Sequence, residues 1–320
     1  MHDLFQRIRS SCHLVAEQAR YVRIQESRIA AYASSLPLQQ ALYPEHDARY
    51  HYLGHGEDTA AFFLTLDTIN FMSGYNPHLK KRPGLSGYFT IAAALSDHYQ
   101  TRGPLSASEL TGLDSGRCAS IFGQDPGNPV AMELMELYAQ ALGELGRYLL
   151  SSFGGSFGAL VDSAEASAER LVTLLIRMPF FNDVSQYGPL SVPLFKRAQL
   201  TAADLELAFD RRGLGRFTDS DQLTIFADNL VPHVLHVDGV LEYDPDLAAR
   251  IEREELIPSG SPQEIEIRAC GLHAVELLVA ELRRQGQTVT ARGLDYLLWN
   301  RGQEPHYKAR PRHRTRSVYY

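Results

Sequence analysis

The stretch 261-SPQEIEIRACGLHAVELLVAELRRQG-286 carries the strongest helix signal in the chain. Ser261 offers an N-cap, Pro262 stands at the first helical position, and Glu264 follows three residues after the cap. That is a capping box, and it predicts a helix running to about Gln285, with Gly286 placed to stop it. Outward from it, apolar residues recur at three- and four-residue spacing over 3–33 (Leu14, Val15, Ala19, Val22, Ile29), 59–72, 86–99, 130–151 and 163–177. Gly/Pro-rich breaks fall at 74-GYNPHLKKRPG-84, 102-RGPLSAS-108, 123-GQDPGNP-129, 154-GGSFG-158 and 187-YGPLSVP-193. No alternating run is long enough to demand a sheet, and 191-SVPLF-195 is the best short strand candidate. The expected fold is therefore all-α, one globular multi-helix domain over 1–320. Its helical halves, about 1–150 and 151–320, are expected to pack together across the Gly/Pro-rich middle.

The 320 residues include 44% hydrophobic and 22% charged residues, ordinary values for a chain with a sizeable core. No apolar run approaches a membrane span, and the opening residues lack the apolar block of a secretory signal. Three cysteines (Cys12, Cys118, Cys270) without CxxC spacing read as buried or free thiols in a reducing, cytoplasmic setting. A net charge of −7 has the wrong sign for broad binding to a phosphate backbone. The tail 306-HYKARPRHRTRSVYY-320 is the local exception, with five cations, no acid and aromatic residues near both ends. Docking onto the body is the expectation for it, over a solvated tail.

HExxH, GxxxxGK[ST] and GxGxxG motifs are absent. His233 and His236, three apart, read as locally packed and not as metal ligands. In 195-FKRAQL-200 the adjacent Lys196 and Arg197 precede a polar cap signal at Thr201. Two readings stand: a surface strand-to-helix turn, or an anion site in which Lys196 or Arg197 meets phosphate near a helix terminus. The pattern 210-DRRGLGRFTD-219 places a Gly-x-Gly hairpin about a dozen residues before Asp228. Asp228 itself follows the apolar run Leu223–Ala227 and precedes Asn229 and Pro232. It serves as an N-cap with the proline in the first turn, or it is held there for chemistry, since a buried carboxylate is costly unless paired or used.

Several blocks, in order, resemble the queuosine salvage family: 65-TLDTINF-71, 86-SGYFTIAAAL-95, 180-FFND-183, 194-LFKRAQL-200, 226-FADNLVPHVLHVDGVLEY-243, 256-LIPSGSPQEIEIRA-269, 294-LDYLLW-299 and 312-RHRTRSVYY-320. They run from about residue 50 to the end. GLGRF followed by TIFADNLVPHVLHVDGVL is more loosely similar to helical DNA glycosylases. There a Gly-rich hairpin precedes an aspartate that opens the catalytic helix. The spacing here is shorter, and Arg216 or Phe217 replaces the lysine of bifunctional members.

The first resemblance implies a hydrolase that cleaves the N-glycosidic bond of queuosine 5′-phosphate and releases queuine. Such cleavage passes through an oxocarbenium-like sugar and needs a nearby carboxylate. The resemblance implies Asp228 as catalytic residue, and Asp183 as ligand of the base's guanidine-like edge. Asp67, Asn70, Phe71, Tyr88 and Asn229 are further base-binding candidates. Lys196 is the first choice for the 5′-phosphate, ahead of Arg197, His51 and Arg314 with its neighbour Arg316. No metal or other cofactor is expected. The expected partners are the free nucleotide and queuine, with neither DNA nor membrane, and the oligomeric state stays open. The competing readings are a glycosylase acting within a nucleic-acid polymer and a non-enzymatic binder of the modified base.

Overall fold

In the computed structural model, which describes residues 4–39 and 45–320, the described chain is predominantly helical. In chain order come α1 (Leu4–Gln18), strand β1 (Val22–Ile24), α2 (Glu26–Ser35), α3 (Glu57–Thr68), α4 (Gly87–Arg102), α5 (Ala107–Thr111), α6 (Ser115–Phe122) and α7 (Pro129–Phe153). The next group is α8 (Phe157–Asp162), α9 (Ala168–Leu175), β2 (Val184–Tyr187), β3 (Leu190–Pro193) and α10 (Lys196–Ala208). The series ends with α11 (Leu230–Val237), β4 (Leu241–Tyr243), α12 (Pro245–Glu252), α13 (Pro262–Arg284), α14 (Ala291–Arg301) and α15 (Pro305–Lys308). Among the described residues no helix is long and apolar enough to cross a membrane.

Contacts divide the chain into two interleaved units. One comprises Met1–Pro44, Asp183–Lys196 and Asp221–Arg316; the other comprises Glu45–Asn182, Arg197–Ser220 and Ser317–Tyr320.

The first unit is organised around α13. Ser261 accepts the Glu264 amide at 3.3 Å, as the capping box requires, and Gly286 ends the helix in the left-handed region at φ +80°. The Glu264 carboxylate departs from the box: it accepts the Gly260 amide at 3.1 Å and also faces Arg268. α13 is buried nearly all round because α1, α2, β1, α11 and α14 pack against it. Where α11 crosses, a Cβ on Gly271 would lie 2.8 Å from the Pro232 ring, so only glycine permits the approach. Glu266 is another buried acid on α13, and one of its oxygens accepts the Arg20, Tyr21 and Val22 amides. This fastens the segment leading into β1, which pairs antiparallel with β4. The expected continuous helix over 3–33 is thus two helices with a strand between them. The expected strand near 191–195 exists as β3 and pairs antiparallel with β2.

In the second unit α7 is the long central helix. Asn128 caps it through the Val130 and Ala131 amides, Pro129 opens it, and Gly154 closes it at φ +60°. Helices α3, α5, α6 and α8 pack against it. The expected helix over 163–177 is found shortened, as α9, which starts only after a turn in which Glu165 and Ala166 take positive φ. The glycines of the GLG turn have packing reasons. A Cβ on Gly215 would sit 2.4 Å from the Leu205 carbonyl, and Gly213 has φ +49°. Cys12, Cys118 and Cys270 are free and buried, and burial pushes the Cys12 and Cys118 thiols up to about 12.

Candidate functional site

The segment Leu223–Ala227 is buried but not helical, and it delivers Asp228 half-buried to the start of α11. The backbone N-cap is Asn229, one residue later than the sequence suggests, yet the capping is done by Asp228. Its Oδ1 accepts the Leu230 amide at 2.7 Å and the Val231 amide at 3.3 Å. This satisfies two donors that a helix N-terminus leaves open. Among the described residues no hydrogen bond is made to Oδ2.

The residues around Asp228 are fastened one by one. The Phe226 amide donates to Asp295 Oδ1 on α14 at 2.9 Å, and Arg268 Nε on α13 donates to the Ala227 carbonyl at 2.9 Å. Asn229 Nδ2 donates to the His313 carbonyl at 3.2 Å. That last bond engages the basic tail, which docks as expected: His313 and Thr315 are buried, and the Ile257 amide donates to the Arg314 carbonyl at 2.8 Å. The Arg314 side chain pairs with Glu254 at 2.7 Å.

Asp295, Lys196, Arg312, His313 and Arg268 form the electrostatic neighbourhood with Asp228. Asp295 is only 4% exposed, and burial followed by the charge of Asp228 raises its carboxyl well above the ordinary value; Lys196 and the Phe226 amide act in the opposite direction. Burial lowers the Arg312 guanidinium, opposed by Asp228. His313 is held neutral down to about 3, by burial first and then by Arg268 and Arg312.

Asp183 and Lys196 belong to the same unit. Asp183 is 2% exposed, and Arg268 grips it with two bonds, Nη1 to Oδ1 at 3.0 Å and Nη2 to Oδ2 at 2.6 Å. It also accepts the Lys196 amide at 3.3 Å, so it opens α10. Its carbonyl accepts the Leu194 and Phe195 amides, which holds Phe195 at φ +47°. The base-binding expectation for Asp183 therefore meets a carboxylate already bound by protein groups. Lys196 is buried at the first position of α10, not on a surface turn. Thr201, read as a cap, lies inside that helix and donates to the Arg197 carbonyl at 2.9 Å.

The remaining candidates gather in the second unit. Arg197 is buried between the rings of Phe71 and Phe181, 4.9 and 4.8 Å from their centres. It donates to the carbonyls of Asp67 (3.1 Å), Thr68, Phe180 and Val318 (2.7 Å), a carbonyl clamp around a residue expected to meet phosphate. Phe71 is fully buried, with its ring against Tyr138. Asp67 is buried and Asn70 half-buried at the end of α3. His51 Nε2 meets the Tyr88 hydroxyl at 3.0 Å, and its Nδ1 lies 3.0 Å from the Asp47 carbonyl.

Arg268 and Asp295 are the site residues that sequence reasoning missed. Both stand inside the blocks 256–269 and 294–299 that carry the family resemblance, but there they read as ordinary positions on apolar helices. His233 and His236 each place a ring nitrogen against a carbonyl, of Tyr307 at 2.9 Å and Leu241 at 3.1 Å. Among the described residues no group of three or more His, Cys, Asp or Glu is arranged to hold a metal ion.

A family model described as queuosine salvage protein matches residues 50–320. The queuosine 5′-phosphate N-glycosylase/hydrolase of Sphaerobacter thermophilus is 36% identical over 311 residues, covering 96% of this chain and 95% of that protein. The protein of the same name from Mus musculus is 32% identical over 333 residues, with 98% of each chain covered. A third, from Dictyostelium discoideum, is 34% identical over 266 residues, 82% of this chain and 79% of its own. The chain belongs to the queuosine salvage protein family.

Proposed function

We infer that this chain is a hydrolase of queuosine 5′-phosphate that cleaves its N-glycosidic bond and releases queuine. The observation that carries the reading at the residue level is Asp228. The α11 amides hold one of its carboxylate oxygens, its field reaches Arg312 and the buried Asp295, and Lys196 in turn acts on Asp295. A carboxylate fixed in this way is suited to stabilise an oxocarbenium-like sugar and to orient or deprotonate the attacking water, because preorganised charge costs no rearrangement during reaction. The leaving base is a 7-deazapurine, with carbon where guanine has N7, so its departure relies on polar groups at other edges. Asn229, beside Asp228, is proposed for such a contact, and Lys196 for the 5′-phosphate.

The net charge of −7 favours a free nucleotide over a polymer. The looser likeness to helical DNA glycosylases, a Gly-x-Gly turn followed in sequence by an aspartate that opens a helix, supports the role of Asp228 and not action on DNA.

The test is chromatography of base released from queuosine, queuosine 5′-phosphate and intact tRNA, side by side, by the wild type and Asp228→Asn. Release from the 5′-phosphate and a loss of several orders of magnitude in the folded variant are expected. Release from tRNA alone, or near-normal turnover by Asp228→Asn, would overturn the reading.

A further inference from the structure

Asp228 shares its surroundings with a second carboxyl, Asp295, for which the chemistry above has no use. Asp295 stands in the second turn of α14, a helix capped by Thr290 through the Gly293 amide and packed on α11 and α13. Its Oδ1 accepts the amide of Phe226, two residues ahead of Asp228. Among the described residues, the charged groups whose fields reach it are Asp228, on the turn before α11, and Lys196, at the opening of α10. A buried carboxyl within the field of another carboxylate does not ionise cheaply, and the one with less access to water keeps its proton. Asp295 is the buried member and Asp228 the half-buried one. A neutral acid still accepts an amide hydrogen bond, whereas an ionised one would repel Asp228 and compete with it for Lys196.

We propose that Asp295 is a positioning residue acting in its protonated form: it holds the Phe226 amide, and through it the aim of Asp228, without adding a negative charge of its own. The inference rests on Asp228 being the catalytic carboxylate. Asparagine is the conservative replacement, because its side-chain carbonyl accepts the same amide and cannot ionise.

The experiment measures hydrolysis of queuosine 5′-phosphate by the full chain across the whole pH range in which it stays folded, for wild type, Asp295→Asn, Asp295→Ala and Asp228→Asn. Asp295→Asn is expected to keep kcat within about threefold of wild type and to lose the decline that ionisation of Asp295 gives the wild type as pH rises. Asp295→Ala is expected to lose about 30-fold or more in kcat with a smaller change in KM, as misplacement of a reacting group does. The infrared band of a protonated carboxyl is expected in the wild type at neutral pH and is expected to disappear in Asp295→Asn. If Asp295→Ala does not fold, the pH profile and the infrared band of Asp295→Asn decide. Asp295→Asn as inactive as Asp295→Ala in a folded protein, a pH profile superimposed on the wild type, or an unchanged infrared band would each overturn the proposal. Those results together with an inactive Asp228→Asn sink only the role of Asp295, whereas an active Asp228→Asn removes the reading beneath it.

Discussion

Replacing Arg268 with methionine tests whether the ion cluster on α13 is structural support or part of substrate recognition. The guanidinium and its partners Asp183 and Glu264 have side-chain exposures of 1%, 2% and 2%, so water cannot take over any lost contact. Removing one member of a buried ion pair costs about 3–5 kcal/mol, because the partner's charge is left without compensation. The Ala227 carbonyl also loses its donor, which adds about 1–3 kcal/mol of desolvation penalty. These costs overlap, and a net loss of about 4 kcal/mol is expected, a large share of the roughly 5–15 kcal/mol typical of folded proteins. Denaturant unfolding followed by fluorescence measures it. In the double variant Arg268→Met/Asp183→Leu both charges leave together, so at least about 2 kcal/mol of the loss is expected to return. That double variant also separates the two readings of Asp183. If Asp183 contacts the base, KM rises sharply in a protein whose stability has recovered; if it serves Arg268 and the start of α10, KM follows stability. A single Arg268→Met costing under about 1 kcal/mol, or strictly additive losses, would refute the reasoning.

Acid sensitivity follows from the buried histidines. His46, His233 and His313 are lowered from 6.5 to about 3, 4 and 3 by burial, so the stability present above pH 6.5 falls as the unfolded chain takes up protons that the native one refuses. Asp295, raised from 3.8, opposes them, since it binds its proton in the native state first. Near pH 5 the three histidines leave about three extra protons on the unfolded chain, partly offset by Asp295, and unfolding midpoints that stay flat between pH 7 and 5 would contradict this. Arg197→Lys is expected to cost about 3 kcal/mol or more by the same unfolding assay, because an ammonium cannot serve the Asp67, Thr68, Phe180 and Val318 carbonyls in one plane. Arg314→Ala breaks a pair whose partner Glu254 is 52% exposed, so the loss is expected to stay below about 1 kcal/mol.

What the sequence made legible were features with a local cause. The cap at Ser261, the stop at Gly286 and the docking aromatic–basic tail are written within a few residues of where they act. The strand β1 is only Val22–Ile24, too short to show a period, and its partner Leu241–Tyr243 lies more than 200 residues away. That explains why 3–33 reads as one helix. The acid Asp183 has the same difficulty: its partner Arg268 is 85 residues distant, and a carboxylate without a visible partner looks available for a ligand. Arg197 looks like an anion site beside Lys196, but the carbonyls to which it donates belong to other segments and cannot be seen from its local sequence. The cap at Asp228 was legible because it is local; its electrostatic setting beside Asp295 and Arg312 was not.

The charge balance of that setting connects the fold to the proposed chemistry. Lys196, Arg312 and Asp228 sum to one formal positive charge, and a protonated Asp295 leaves that sum unchanged. A nucleotide 5′-phosphate is drawn by a net positive group, while an oxocarbenium-like sugar needs a negative one at short range. Both demands are met only if the negative charge is single and fixed. The helix amides fix it, because Oδ1 of Asp228 cannot swing away without leaving the Leu230 and Val231 donors open. Under the proposal a protonated Asp295 keeps it single, whereas an ionised Asp295 would cancel the positive excess expected to attract the phosphate. The proposal needs the buried approach Leu223–Ala227, since in open water both carboxyls would ionise and the solvent would screen their repulsion.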